Sequence, residues 1–392
     1  MSAPASPPPS APASAPPRRV AIALLRYFPH GGLQRIAVDV ALALRKRGHH
    51  VRLFTQDWQG QRPAPLAGAD GSLQVIVPEV RGVTNHGRAA DFGRALTLAL
   101  QNAPADVTLG FDRLPGLDLY FAGDPCYSAR LRRTRPWFQR LTPRARTFLK
   151  LERAVFGPES KARTLLMDGR EQAVIEAEYG TDPARFRVLP PGFSATRSRG
   201  PNAERQRAAI RKELGAEDHF LALALGSDGH RKGFDRALLA LRAANLGAGP
   251  RSLLAIAGSG HTEGLKALAR KLHLGDSVRW LGPRDDVAEL LQGADVLVHP
   301  CRSEPAGMVL LEALSAGTPV LVAGAAGYAS HVAASGAGMV LTEPFQQKSL
   351  DEAWIQVMSE PAADLSDRAL RYAAQLDPNG FVDAVVAEVE GA

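Results

Sequence analysis

Residues 20–25 form an uninterrupted apolar run, the pattern of a strand buried on both faces. Gly31 and Gly32 follow, and then Leu33, Ile36, Ala37, Val40 and Leu44 recur at the spacing of one helical face. Arg45, Lys46 and Arg47 load the last turn, and Gly48 after them is the expected stop. Residues 51–55 read as the next strand, and the alternation recurs with strands at 73–77, 107–111 and 164–166. Such a β-α-β series predicts a parallel sheet covered by helices on both faces. Pro190-Pro191-Gly192 is a breaker cluster that predicts a hinge. Beyond it a second series places strands at 220–225, 253–257, 278–281, 296–299 and 320–322. The expected fold class is therefore α/β, with two doubly wound Rossmann-like halves, 18–192 and 193–370, facing across a cleft. Residues 371–392 are expected to form a C-terminal helix that packs back on the first half. In doubly wound sheets ligands bind at the carboxyl ends of the strands, so the site belongs in the cleft.

Composition narrows the class. The chain has 392 residues, 45% hydrophobic and 22% charged, which excludes a wholly disordered, collagenous or disulfide-framework protein. Residues 1–17, almost entirely Ala, Pro and Ser, are expected to be a disordered tail and carry no basic, apolar signal pattern. No stretch of about 18 apolar residues predicts a transmembrane helix. Cys126 and Cys301, the two cysteines, have no metal-ligand spacing and suit a reducing compartment.

Charge changes the picture more. The net charge is +7, yet residues 129–153 hold nine basic side chains against the single acid Glu152, a local +8 that leaves about −1 for everything else. Arg130, Arg132, Arg133, Arg135 and Arg140 are interleaved there with Trp137, Phe138 and Leu141. Arginines among large apolar rings suit an anionic membrane interface. A solvated face is the plainer alternative. Nucleic acid is disfavoured, because no recognition motif accompanies the charge.

Three places carry candidate chemistry. Gly31-Gly32 lies between a strand and a helix N-terminus, where a bound anion can approach the backbone, although such a turn is also commonly structural. It lacks the spaced three-glycine dinucleotide fingerprint, which argues against a dehydrogenase. The loop from Gly226 to Gly233 follows the first strand of the second half. Its Arg231 and Lys232 can hold a diphosphate, or can simply make an exposed basic turn. The segment Glu304-Pro305-Ala306-Gly307-Met308 opens a helix that continues through Glu312 to a stop at Gly317. With Pro305 as the first helical residue, the two carboxylates stand roughly 12 Å apart along the axis. That is too far for paired acid–base work on one bond, but it suits a grip on two parts of an extended ligand. The free amides of Ala306, Gly307 and Met308 would meet an anion between them. A surface helix with two glutamates remains the alternative. His230, His299 and His331 receive no catalytic role. No Cys/His cluster or acidic cage is apparent, so no metal or other cofactor is expected.

The Glu304 and Glu312 pair, with seven residues between, resembles the signature of the retaining family 4 glycosyltransferases of GT-B fold. The 226–233 loop and Pro190-Pro191-Gly192-Phe193 fit the same family. Stretches 27–35 (YFPHGGLQR), 55–60 (TQDWQG), 84–92 (TNHGRAADF) and 110–129 (GFDRLPGLDLYFAGDPCYSA) resemble its lipopolysaccharide-core glucosyltransferases in particular. The resemblance implies UDP-glucose as donor and a heptose of the lipid-linked inner core as acceptor, at the cytoplasmic membrane face. It implies that Arg231 and Lys232 hold the diphosphate and stabilise departing UDP. Glu304 and the Ala306–Met308 amides would contact the donor sugar, with Glu312 on the ribose. Gly31, Gly32 and Gly226 would line the donor site, and the basic aromatic segment would dock on the membrane. One departure stands out: Ile36 occupies a position where the subfamily carries an acid, leaving Asp39, Asp118 or Asp124 as substitutes. A family 4 transferase with another UDP-sugar or acceptor is the nearest alternative. A sugar-nucleotide epimerase or hydrolase, and a non-catalytic membrane-binding protein, are the remoter ones.

Overall fold

The computed structural model describes residues 16–29, 31–62, 72–247 and 251–392, so residues 1–15 of the expected tail lie outside the described residues. The first half carries a seven-stranded parallel sheet. In chain order its strands are β1 (Arg19–Tyr27), β2 (His50–Trp58), β3 (Leu73–Ile76), β4 (Val107–Gly110), β5 (Leu119–Ala122), β6 (Arg163–Leu166) and β7 (Phe186–Val188). They lie side by side as β3-β2-β1-β4-β5-β6-β7. Val20 on the central strand is flanked by Val51 and Val107. The second half holds β8 (Phe220–Leu225), β9 (Ser252–Ala257), β10 (Val278–Gly282), β11 (Val296–His299), β12 (Val320–Ala323) and β13 (Gly338–Leu341), ordered β10-β9-β8-β11-β12-β13. Each sheet reverses its strand order once, between β1 and β4 and between β8 and β11, and these switch points open towards each other.

Burial and legibility in sequence overlap without coinciding: β3 and β10 fall where strands are expected although they are partly exposed, and β5 is buried at every residue where none is expected. β4, β9, β11 and β12 are buried at every residue, as continuous apolar runs require. β5, β7 and β13 are additions to the expected set. The helix Gly32–Lys46 buries Ile36, Ala37, Val40 and Leu44 against the first sheet, and Gly48 takes the left-handed conformation (φ 91°) that ends it.

The chain's last helix, Gly380–Glu390, lies on the first half although the residues before it belong to the second. Its Phe381 ring meets Phe121 at 5.6 Å. A side chain at Gly192 would collide with Phe381, its Cβ falling 2.2 Å from that residue's Cβ, so this crossing requires glycine. Arg47 pairs with Asp383 at 2.9 Å and Glu390 at 3.0 Å, and His49 Nε2 lies 3.1 Å from Glu390. No helix among the described residues is long and apolar enough to cross a membrane.

Candidate active site

The cleft between the halves is walled by Gly32, Leu33, Arg35 and Ile36 on one side and by Gly226, Ser227, Lys232, Glu304, Ala306, Gly307, Met308 and Glu312 on the other. Two glycine-rich turns make the second wall. Gly226 (φ 145°) and Gly258 (φ 154°) end β8 and β9, and a Cβ at Gly258 would stand 1.9 Å from the Gly226 carbonyl oxygen. Backbone packs directly on backbone there, a closeness only glycine permits. Gly233 closes the loop with φ 75°, its missing Cβ 2.0 Å from the Pro300 carbonyl oxygen.

That loop delivers two cations to one carboxylate. Lys232 Nζ donates to Glu304 Oε2, and Arg231 Nη1 donates to the same oxygen at 3.2 Å and to the Ser303 carbonyl at 3.1 Å. His299, wholly buried at the end of β11, brings Nε2 within 3.6 Å of Glu304. Burial pushes the Glu304 carboxyl up, but Lys232, the nearby His299 ring and Arg231 outweigh it and hold the group far below the usual carboxylate range. Glu304 is therefore ionised and cannot serve as a general acid. Burial, reinforced by the Lys232 charge, lowers the pKa of His299 and keeps its ring neutral. Cys301 is pushed up to about 12, by burial first and then by Glu304, so this thiol is not a nucleophile.

The expected helix begins later than the proline suggested. It spans Met308–Ser315, with Gly307 as its cap in the left-handed conformation (φ 91°). Glu304 instead pairs with Ala326 in an isolated bridge, and the amides of Gly327 and Tyr328 bond the Glu304 and Ala306 carbonyls. Pro305 thus sits in an extended turn anchored to a neighbouring loop, and the 12 Å axial spacing does not apply. Glu312 lies one turn into the helix. Gly317 (φ 80°) does provide the stop.

Glu312 is 1% exposed and holds two arginines from elsewhere in the chain. Arg35 Nη2 donates to Oε1 at 3.1 Å, and Arg197 donates to Oε2. Arg35 comes from the opposite half, so this carboxylate ties the cleft together. Sequence spacing points to neither arginine, although Arg35 lies in the 27–35 stretch. Gly32 faces the cleft, while Gly31 sits behind it as the helix cap. Ile36 lines the cleft as an apolar wall. Of the three acids considered as substitutes, Asp118 accepts from the Thr108 amide and hydroxyl, and Asp39 is exposed on the Gly32–Lys46 helix. Asp124 directly follows Gly123, which lines the cleft. Among the described residues no group of three or more His, Cys, Asp or Glu converges as a metal site.

The basic segment lies outside the cleft, on the helix Tyr127–Thr134, a short turn Trp137–Leu141 and the helix Pro143–Phe156. Trp137 is 71% exposed and Phe138 and Leu141 more than half. Arg133 and Arg135 are exposed, and Arg130 covers the Tyr127 ring at 5.4 Å. Arg132 is ion-paired to Glu178, and Arg140 Nη2 donates to the Arg132 carbonyl at 3.4 Å. Glu152, the segment's one acid, is wholly buried and accepts from the amides of Tyr127 (2.6 Å) and Ser128 (2.8 Å) and from the Tyr179 hydroxyl (2.6 Å).

Comparison with known proteins places this geometry. The family model "Glycosyl transferases group 1" matches residues 206–376. The lipopolysaccharide glucosyltransferase WaaG of Escherichia coli (strain K12) is 35% identical over 379 residues, covering 95% of this chain and 100% of that protein. The D-inositol 3-phosphate glycosyltransferase of Stackebrandtia nassauensis is 27% identical over 92% of this chain and 87% of its own. The crystal structure of WaaG, described as a glycosyltransferase involved in lipopolysaccharide biosynthesis, matches with a TM-score of 0.87, covering 95% and 100% of the two chains at 35% identity. Anabaena HepE, solved with UDP and glucose, shares the fold at a TM-score of 0.73 and 17% identity, covering 96% and 100%.

Proposed function

This chain belongs to the group 1 glycosyltransferases of GT-B architecture, and from that premise we propose that it transfers glucose from UDP-glucose, with retention, to a heptose of the lipopolysaccharide inner core. The observation that carries the donor half is the Arg231–Lys232–Glu304 cluster facing Gly32 within one cleft. Similarity to WaaG along nearly the whole chain carries the acceptor half.

In this reading the acceptor hydroxyl oxygen bonds to the anomeric carbon on the face that UDP leaves. The bond from that carbon to the phosphate oxygen breaks, and the hydroxyl proton passes to the departing phosphate. Charge develops on the diphosphate, and Arg231 and Lys232 are the groups that neutralise it. Their presence supports a transfer that takes no metal cofactor. Glu304, held ionised, accepts from donor sugar hydroxyls, and the amides at Ala306, Gly307 and Met308 serve the same end of the donor. Glu312 serves the ribose, sharing its oxygens with Arg35 and Arg197. Gly32 and Gly226 let the donor approach both walls.

The enzyme acts as a peripheral protein on the cytoplasmic membrane face, docked through Arg130, Arg133, Arg135, Trp137 and Phe138. Arg132 and Arg140 hold the docking segment in shape. The test is purified protein with a panel of UDP-sugars and a heptose-terminated core acceptor, run in EDTA and read by mass spectrometry. One hexose added from UDP-glucose is expected. Donor consumed without acceptor would favour a hydrolase or epimerase, and transfer of another sugar would revise the donor.

A further inference from the structure

The cleft accounts for the 27–35, 226–233 and 304–317 stretches, but leaves 55–60 and 84–92 without a role. These two meet each other, where Arg88 reaches the Gln56 carbonyl. The helix Asn85–Asn102 follows β3 and runs back across the sheet, so its N-terminus sits over the carboxyl ends of β1 and β2. Thr84 caps it, its Oγ1 accepting from the Gly87 amide at 3.1 Å, and no acidic residue stands in the first turn. Gly82 presses the preceding loop against that turn, for a Cβ there would lie 2.4 Å from the Arg88 nitrogen.

Two arginines flank this helix end. Arg26, on β1, donates from Nη2 to Asn85 Oδ1 at 2.6 Å. Arg88, on the helix's first turn, reaches the Gln56 carbonyl at 3.5 Å, and its buried Nε has no hydrogen-bond partner. Neither arginine forms an ion pair among the described residues. Asp112 lies close enough to feel the Arg26 charge, but one of its oxygens is engaged by the Leu25 amide at 2.6 Å.

The second observation is Gln56. It is 5% exposed, and its Oε1 is buried with no partner. Strand alternation puts it on the same face as Phe54, which packs with Phe92 and Leu96 of the helix. The Gln56 carbonyl accepts from Arg88 Nη2, so this buried amide, on the strand face that Phe54 shares with the helix, lies beside the helix's first turn. A buried amide oxygen left without a donor is costly unless something supplies one. Two guanidinium groups whose charges meet no carboxylate in an ion pair among the described residues, a helix N-terminus and an unsatisfied amide together match one chemistry: an anionic substituent for the arginines and a sugar hydroxyl for the glutamine.

We propose that Arg26, Arg88, Asn85 and Gln56 form the acceptor subsite, and that they recognise an anionic sugar of the acceptor beside the hydroxyl to be glycosylated. The location suits this. The Arg26 carbonyl accepts from Gln34 Nε2 at 3.1 Å, and Gln34 belongs to the helix whose Gly32, Leu33, Arg35 and Ile36 wall the cleft. The subsite thus stands at the root of the turn that faces the donor. The proposal rests on the glycosyltransferase reading given above.

The experiment measures transfer kinetics for the wild type, Arg26→Ala, Arg88→Ala and Arg88→Lys with the core acceptor. The acceptor is used intact, after phosphatase treatment, and after reduction of its sugar-acid carboxylates. UDP affinity and thermal unfolding are recorded alongside. Each alanine variant should raise the acceptor KM about tenfold, as loss of one charge-assisted bond does, with kcat within about twofold and UDP affinity unchanged. Arg88→Lys should recover part of the loss. Whichever treatment removes the recognised anion should raise the wild-type KM by a similar factor, and the variants should then lose little more. A KM rise on phosphatase treatment assigns the anion as phosphate, and one on reduction assigns it as carboxylate. Variants indistinguishable from an active wild type would overturn the subsite alone, as would losses independent of both treatments. A wild type that transfers to no heptose acceptor would overturn the functional reading and the subsite with it.

Discussion

Lys232 holds the Glu304 carboxylate ionised in a nearly dry corner of the cleft. The lysine loses its carboxylate partner if Glu304 changes, and Glu304 loses its strongest neutralising charge if Lys232 does. A cation held there before the donor arrives needs no reorganisation when charge develops on UDP. Removing it should cost about 2.7–4 kcal/mol of barrier, by analogy with lost oxyanion donors. Lys232→Ala and Arg231→Ala are therefore expected to lower kcat by about 100- to 1000-fold while the fold survives. Steady-state rates and a thermal melt check this, and near-normal turnover in both variants would sink the assignment. The pH dependence carries a sign. The Glu304 pKa is depressed in the folded state, so its contribution to stability is present above the ordinary carboxylate pKa and is lost as pH falls through the folded value. Lys232→Ala raises that folded value, which should move acid unfolding to higher pH. The lysine and the glutamate were legible in sequence because each lies within a local glycine-bounded stretch. Arg35 and Arg197 were not, since they reach Glu312 across 277 and 115 residues. Only the closed fold brings such groups together.

Elements obey the same division between local and distant causes. Strands such as β8, β9 and β11 announce themselves as apolar runs between turn residues. β7 and β13 are short, partly exposed edge strands, and nothing in three or four residues separates them from coil. The Met308–Ser315 helix was legible in existence and in its end but not in its start. Pro305 is compatible with a first helical turn, yet the bonds from Gly327 and Tyr328 hold that turn extended, and those partners lie outside any local window. The basic helix Tyr127–Thr134 has a hidden foundation of the same kind. Its first two amides end on Glu152, which also meets Arg113 at 3.2 Å and Tyr179. Read along the chain, Glu152 is one acid diluting a basic run; in the fold it is the buried cap of the helix that carries that run. Glu152→Ala strands Arg113 and three donors, and should cost about 3–5 kcal/mol. The midpoint of urea unfolding reads this directly. A shift near zero would mean that the cap is not what anchors the helix.

The molecule as a whole is asymmetric in charge, and the asymmetry has a direction. Its excess lies on the surface of the first half, away from the cleft wall that holds Lys232 and Glu304. The two halves are tied across the cleft by Arg35 on Glu312 and by the return of the Gly380–Glu390 helix to the first sheet. A membrane that held residues 129–153 would therefore orient the whole cleft with them. Such docking would combine rings at headgroup depth with basic side chains attracted by anionic lipid. Not all nine basic residues can contribute equally, because Arg132 is committed to Glu178 and Arg140 to the Arg132 carbonyl. The informative variant changes Arg130, Arg133 and Arg135 together to Glu, leaving the paired residues in place. At about 1 kcal/mol for each basic residue near the surface, losing three attractions alone should weaken binding by on the order of 100-fold, and the added repulsion should weaken it further. Sedimentation with vesicles of mixed anionic and zwitterionic lipid measures the change, and transfer to a water-soluble core fragment should stay near the wild-type rate. Weakened vesicle binding with intact soluble transfer would separate docking from chemistry. Equal vesicle binding by variant and wild type would return the arginines to an ordinary solvated face.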